Sequence, residues 1–150
     1  MAVAQKLPLR KDKSVLPSSP RLDALAQLEG PRAIAAIQAG LDATLVRELA
    51  LLLDLNLEEL AVPLHLTNRT LHRRLEEGRL SLDESERLLA LAKILSLATA
   101  TLGGKSKAVH WMKSPVPALG GKTPLECAAT HIGLRQIEDI LVRIEDVVYS

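Results

Sequence analysis

The chain has 150 residues, enough for one domain or two small ones, and 47% of them are hydrophobic while 1% are aromatic. With one Trp, one Tyr and no Phe, the core must be built from Leu, Ala, Ile and Val; that composition, with no segment of strand alternation, predicts an all-α protein. A formal net charge of +1 excludes nucleic-acid binding by bulk charge, and the single Cys127 excludes an intramolecular disulfide framework and fits a reducing compartment.

Residues 1–18 carry Lys6, Arg10, Lys11 and Lys13 against one acid, Asp12. They read as an extended basic arm, either a solubilising tail or a segment lying on phosphate or on a partner. They lack the apolar core of a signal peptide, and no run in the chain reaches the roughly 18 apolar residues of a membrane span. The expectation is a soluble, cytoplasmic protein that does not engage a membrane.

Ser19-Pro20 is a helix start, with Ser as cap and Pro at the first helical position. Leu22, Leu25, Ala26 and Leu28 follow, and Gly30 is the expected stop. Pro31 restarts a helix through Ile34 and Ile37 to Gly40. Asp42 caps a third, with Leu45, Val46, Leu49, Leu52 and Leu53 on one face. Asn56 with Glu59 has the form of a capping box and opens a fourth, with Leu57, Leu60 and Ala61 inward. Pro63 falls late in that helix, where it should kink or end it.

His65-Leu66 turns the chain, Thr67 caps a helix from Asn68 to Glu77, and Gly78 stops it. A helix, a short turn and a second helix with outward cations form the helix-turn-helix pattern. Thr67, Asn68, Arg69, Thr70, His72, Arg73 and Arg74 are the candidate DNA-binding residues. Asn68 and Arg69 would reach base edges, since Asn pairs bidentately with adenine and Arg with guanine. Arg73 and Arg74 would neutralise phosphates, helped by the N–H groups at the helix start. The competing reading is an ordinary amphipathic pair, its charge balanced by Glu58, Glu59, Glu76 and Glu77.

Ser81-Leu82-Asp83-Glu84 is a full capping box that starts a long helix to about Thr101. Its apolar residues wrap most of its circumference, so it must be buried on most sides. Gly103-Gly104 ends it. Ser106 is the expected cap of a short helix, Lys107 to Met112, in which Trp111 is a core or interface residue. After a Pro/Gly loop, Thr123-Pro124-Leu125-Glu126 stacks three start signals for a helix expected to reach His131 and stop at Gly133. The last helix, Leu134 to about Val147, turns Ile137, Ile140, Leu141 and Ile144 inward, carries Glu138, Asp139, Glu145 and Asp146, and ends in an apolar-aromatic tip suited to docking.

No residue set points to an enzyme, a metal centre or a cofactor. Cys127 and His131 are four apart, but no third group orients the histidine and no oxyanion donors accompany it. The four histidines and one cysteine lack metal-site spacing, and neither a P-loop nor a GxGxxG run is present.

The ordered set R-T-L-x-R-R-L, E-S-x-R-L, A-x-x-W, G-G-x-T-P-L and a Gly-interrupted helix pair ending in V-Y, over about residues 45 to 150, resembles the Xre/MbcA/ParS antitoxins of bacterial type II toxin–antitoxin modules. The resemblance implies a Cro-like helix-turn-helix module that binds the promoter of its own operon, followed by a helical toxin-binding module. With the arm read from composition, the expected division is an arm (1–18), a DNA-binding module (19–80) and a toxin-binding module (81–150). The implied partners are operator DNA and a RES-domain toxin that consumes NAD or uses it for ADP-ribosylation. A homodimer and higher-order toxin–antitoxin complexes are also implied. Carried over, Arg143, Glu145, Asp146, Val147, Val148, Tyr149 and Ser150 would cover the toxin's NAD pocket. Two departures from the family pattern are Pro63 in the head and Asp146 where the family often has Gly. The alternative is a stand-alone dimeric helix-turn-helix regulator.

Overall fold

A computed structural model describes residues 18–149, so most of the expected basic arm and Ser150 lie outside the described residues. The chain folds into helices α1 (Pro20–Ala26), α2 (Gly30–Ala39), α3 (Thr44–Leu53), α4 (Leu57–Ala61), α5 (Asn68–Glu77), α6 (Leu82–Leu102), α7 (Lys105–Met112), α8 (Pro124–Cys127) and α9 (His131–Tyr149), with a 3-10 turn at Pro117–Leu119. The only β pairing among the described residues is one isolated bridge, Asp42 with Arg79. The all-α expectation holds.

The architecture is organised around α6. Its capping box is formed as expected: Ser81 accepts from the Glu84 N–H and Glu84 accepts from the Ser81 N–H. Gly103, at φ 87°, ends it in the left-handed region that favours glycine. Leu88, Leu89, Leu91, Ala92, Ile94, Leu95 and Ala98 are buried around it, and α1, α2, α7 and α9 pack against it. One apolar cluster runs from Leu22 to Leu141. The core is therefore continuous on both sides of α6.

Cations tie the helices together by capping the exposed carbonyls at helix ends, where the backbone dipoles favour positive charge. Lys93 Nζ, on α6, donates to the Ala26 and Leu28 carbonyls at 3.0 and 2.6 Å. Lys113 Nζ, just after α7, donates to the Leu53 and Asp54 carbonyls at 2.9 and 3.3 Å. Arg87 donates to the Ala129 carbonyl at 2.9 Å.

Several boundaries differ from expectation. Helix α1 ends at Ala26, and Gly30 is the first residue of α2 instead of the stop of α1. Helix α4 ends at Ala61 with Val62 as its cap, so of the two outcomes expected of Pro63 the helix end is found and the kink is not; Pro63 lies buried in the turn beyond. Helix α7 starts at Lys105 with Gly104 as its cap, displacing Ser106 from that role. Helix α8 is a single turn, and Gly133 lies inside α9 instead of ending a helix. Cys127 and His131 therefore sit on different helices and share no helical face. A Cβ at Gly133 would stand 1.7 Å from the Cys127 carbonyl oxygen. This glycine is there for close approach, letting α9 begin directly against the end of α8.

Candidate functional site

Two surfaces carry the candidate residues. The first is α5. Thr67 caps it, accepting from the Thr70 N–H at 3.1 Å, and its hydroxyl also meets that of Thr70 at 3.0 Å. Leu71 is fully buried and Leu75 half-buried, which holds the helix by one side. Arg69 and Arg73, four residues apart, are exposed on the side away from Leu71, with the exposed His72 on the flank and the exposed Asn68 at the helix start. The preceding turn bends at His65, whose φ is 58°. The N-terminus of α5 thus stands at the surface with an amide, an imidazole and two guanidiniums beside it. Among the described residues, neither Arg69 nor Arg73 lies within ion-pair distance of a carboxylate.

Arg74 is placed differently. Its Nε donates to Glu84 Oε1 at 2.7 Å and its Nη1 to Glu77 Oε1 at 3.1 Å, and its side chain is only 21% exposed. The hydrogen bonds that it donates to the Glu84 and Glu77 carboxylates push the already basic guanidinium further up. Burial pushes the Glu84 carboxyl up, but the bonds from Arg74 and from the Ser81 N–H outweigh it and hold the group below its ordinary value. Arg74 does not join Arg69 and Arg73 on the open face: its Nε and Nη1 are turned to Glu84 and Glu77.

The C-terminal end of α5 is pinned to the start of α3. The Ala43 N–H donates to the Gly78 carbonyl at 3.0 Å, and the Leu80 N–H to the Leu41 carbonyl at 2.9 Å. Arg79 donates to the Gly40 carbonyl at 2.8 Å. Gly40 permits this approach: a Cβ there would meet the Leu80 carbonyl oxygen at 2.7 Å, and its φ of 85° suits glycine.

The second surface is the last third of α9. Leu134, Ile137 and Leu141 are buried against α6 and its neighbours, but the inward stripe continues past the core through Ile144 and Val148. With Ala118, Ile140, Arg143 and Val147 these residues line an open apolar groove of about 330 Å³. Val147 and Val148 are 79% and 61% exposed, large values for apolar side chains on a helix. Of the expected toxin-contact residues, Arg143, Val147 and Val148 come together at the groove. Residues on an α-helix step about 100° apart, which puts the exposed Glu145 and Asp146 on its other flanks. Tyr149 closes the helix, and Ser150 lies outside the described residues.

Sequence reasoning missed Glu84 as the partner of Arg74, Lys113 as the cap of α3, and Ala118 as a wall of the groove. The Glu84 capping box was legible, but nothing local signals that its carboxylate also holds a residue ten positions earlier.

Residues 32–102 match the family model of the antitoxin Xre-like helix-turn-helix domain, and residues 97–146 that of the antitoxin Xre/MbcA/ParS C-terminal toxin-binding domain. The chain belongs to the Xre/MbcA/ParS antitoxin family. An "Antitoxin Xre" of Yersinia enterocolitica is 34% identical over 79 residues, covering 52% of this chain and 53% of that protein. One of Pseudomonas putida is 37% identical over 79 residues, covering 52% and 50%. One of Photorhabdus laumondii is 32% identical over 75 residues, covering 49% and 51%. The chain spans about half the length of the curated relatives it matches. In this antitoxin-family chain the two matched regions meet at the end of α6. The open face of α5 lies in the first. The groove of α9 lies mostly in the second, which stops at Asp146 and leaves Val147 and Val148 beyond it.

Proposed function

We propose that this chain is the antitoxin of a type II toxin–antitoxin module, with a DNA-binding head and a toxin-neutralising C-terminal segment. The observation that carries the reading is the overhang of α9. Its apolar stripe continues beyond the core without a partner among the described residues, at the end of the region matching a toxin-binding domain. An exposed apolar stripe of this kind marks a contact surface, and Val147 and Val148 supply its anchors.

The partner in this reading is a RES-domain toxin acting on NAD. Its pocket must hold phosphates and so needs cationic groups. The carboxylates of Glu145 and Asp146, on the flanks of the helix that carries the apolar anchors, can occupy such cations. Neutralisation is then steric occlusion, and the chain performs no catalysis of its own.

In the same reading the head binds the operator of its own operon. Asn68 and Arg69 read base edges from the N-terminal turn of α5, Arg73 neutralises a phosphate, and Thr67 and Thr70 hold the turn that presents them. The functional division follows the arm, head and tail of residues 1–18, 19–80 and 81–150. Two half-sites require two copies, so repression is the work of a dimer.

The test is to express the product of the adjacent gene with and without this chain, following growth and cellular NAD, and to assay binding of the chain to the DNA upstream of its gene. Growth arrest with NAD loss that the chain reverses, together with a specific gel shift, supports the reading. A harmless neighbour would overturn the antitoxin assignment and leave the regulator. Absence of a shift at low salt would overturn the operator assignment.

A further inference from the structure

We propose that Arg74 and Glu84 position the DNA-reading helix instead of contacting DNA, setting the angle at which α5 leaves the body of the protein. The inference rests on the reading of α5 as an operator-binding helix. Glu84 Oε1 accepts from Arg74 Nε at 2.7 Å and from the Ser81 N–H at 2.8 Å, so one oxygen serves the cap of α6 and the side of α5 together. Arg74 Nη1 is turned to Glu77 Oε1 within α5 itself, at 3.1 Å. The guanidinium thus joins the first turn of α6 to the last turns of α5.

Beside the packing of α5 against α4 and of Leu71 and Leu75 against the core, this contact is the side-chain bond that ties α5 to the start of α6. Beyond α5, backbone bonds from Ala43 and Leu80 and the Arg79 bond to Gly40 fix where the chain leaves the helix. They hold the segment just beyond the C-terminal end of α5, away from its reading end. Leu71 holds the middle of the helix by apolar packing, which is non-directional. The Arg74–Glu84 bond is directional and partly buried, with the two side chains 21% and 12% exposed. Asn68 and Arg69 lie on the free end of this lever, where a small rotation becomes a displacement at the base edges.

Two roles for Arg74 predict opposite signs. If it is a phosphate contact held in reserve by Glu84, then Glu84→Gln releases a cation toward DNA, tightening binding and steepening its salt dependence. If it is a positioning residue, Glu84→Gln weakens the strut and loosens the reading end. The experiment measures affinity of the full chain for the DNA upstream of its gene, and for unrelated DNA, across a salt series. The variants are Glu84→Gln, which keeps an oxygen for the Ser81 N–H, and Arg74→Met, which keeps the apolar stem. Arg73→Ala is the phosphate-contact control, and melting curves establish that each variant is folded.

We expect both strut variants to lose roughly five- to fifty-fold in operator affinity, the range of an impaired base contact, with little change on unrelated DNA. Their salt slopes should match the wild type, whereas Arg73→Ala should lower the slope by about 0.9. Unchanged or tighter operator binding by Glu84→Gln would overturn the positioning role, as would a slope lowered by Arg74→Met. So would equal losses on both DNAs. Failure of the wild-type chain to prefer its upstream DNA would overturn the operator reading itself, an outcome distinct from any difference among variants.

Discussion

Replacing Gly133 by alanine sets two effects of opposite sign against each other. Alanine is favoured over glycine inside a helix by roughly 1 kcal/mol, and Gly133 lies within α9 without a positive φ. Local propensity alone therefore predicts stabilisation. The new Cβ, however, would stand 1.7 Å from the Cys127 carbonyl oxygen and 2.6 Å from its carbonyl carbon, where distances below 3.0 Å are not tolerated. The obstacle is backbone. The Cys127 N–H bonds the Thr123 carbonyl at 3.1 Å, and its own carbonyl accepts from the Thr130 N–H at 3.3 Å. Opening the gap by roughly 1.3 Å breaks the α8–α9 junction, a disruption at or beyond the 1–3 kcal/mol typical of overpacking. The net expectation is a loss of about 2 kcal/mol, or a melting temperature lower by roughly 4–8 °C for a chain of this size. Thermal unfolding followed by circular dichroism measures it, with Gln136→Ala, exposed one turn along, as a control near zero. A melting temperature for Gly133→Ala equal to or above wild type would refute the close-approach account of this glycine.

Other outcomes follow from the same geometry. Thr67→Ala removes the hydroxyl that caps α5 and should cost about 1 kcal/mol in urea unfolding; no change in midpoint would mean that the cap is dispensable. Thr101 is 5% exposed, and its hydroxyl has no partner among the described residues. The isosteric Thr101→Val should raise stability by roughly 1 kcal/mol, and a drop would show that the hydroxyl is bonded in solution. Lys113→Met should lower stability by about 1 kcal/mol by leaving the Leu53 and Asp54 carbonyls uncapped, and an unchanged unfolding midpoint would argue against the cap. The Glu84 carboxyl is held below its ordinary value, so the stability it contributes is present above that value and is lost as pH falls through the lower, folded one. Urea midpoints taken from pH 6 downward should therefore decline less steeply for Glu84→Gln than for wild type below roughly pH 4.3. Parallel curves would exclude this linkage.

The parts legible in the sequence are those governed by short-range chemistry. Thr67, Ser81 and Thr123 cap their helices as read, because a cap needs only a hydroxyl and an N–H two or three residues on. Gly78 and Gly103 end helices because a left-handed residue is a local requirement. The exposed Arg69 and Arg73 follow from helical spacing, which sets them on the side away from the buried Leu71. What was not legible depends on residues distant in the chain. Gly133 carries the same letter as Gly78, but its reason is the carbonyl of another helix. Arg74 carries the same letter as Arg73, but a carboxylate ten residues later turns it from the open face. Ser106 lost the α7 start to Gly104 because that helix begins directly from the end of α6. The overhang of α9 was foreshadowed by its apolar tip, but the groove needed Ala118, supplied by a loop with no chemistry of its own.

In the proposed function the end of α9 silences a toxin. The most direct test mixes the purified neighbouring protein with NAD and measures NAD consumption while this chain is titrated in, full-length or cut after Ile144. Full-length chain should stop the reaction near stoichiometric ratio, while the cut chain, equally folded by circular dichroism, leaves it running. Equal inhibition by the two forms would contradict the claim and move the contact back along α9 toward the residues it shares with the core.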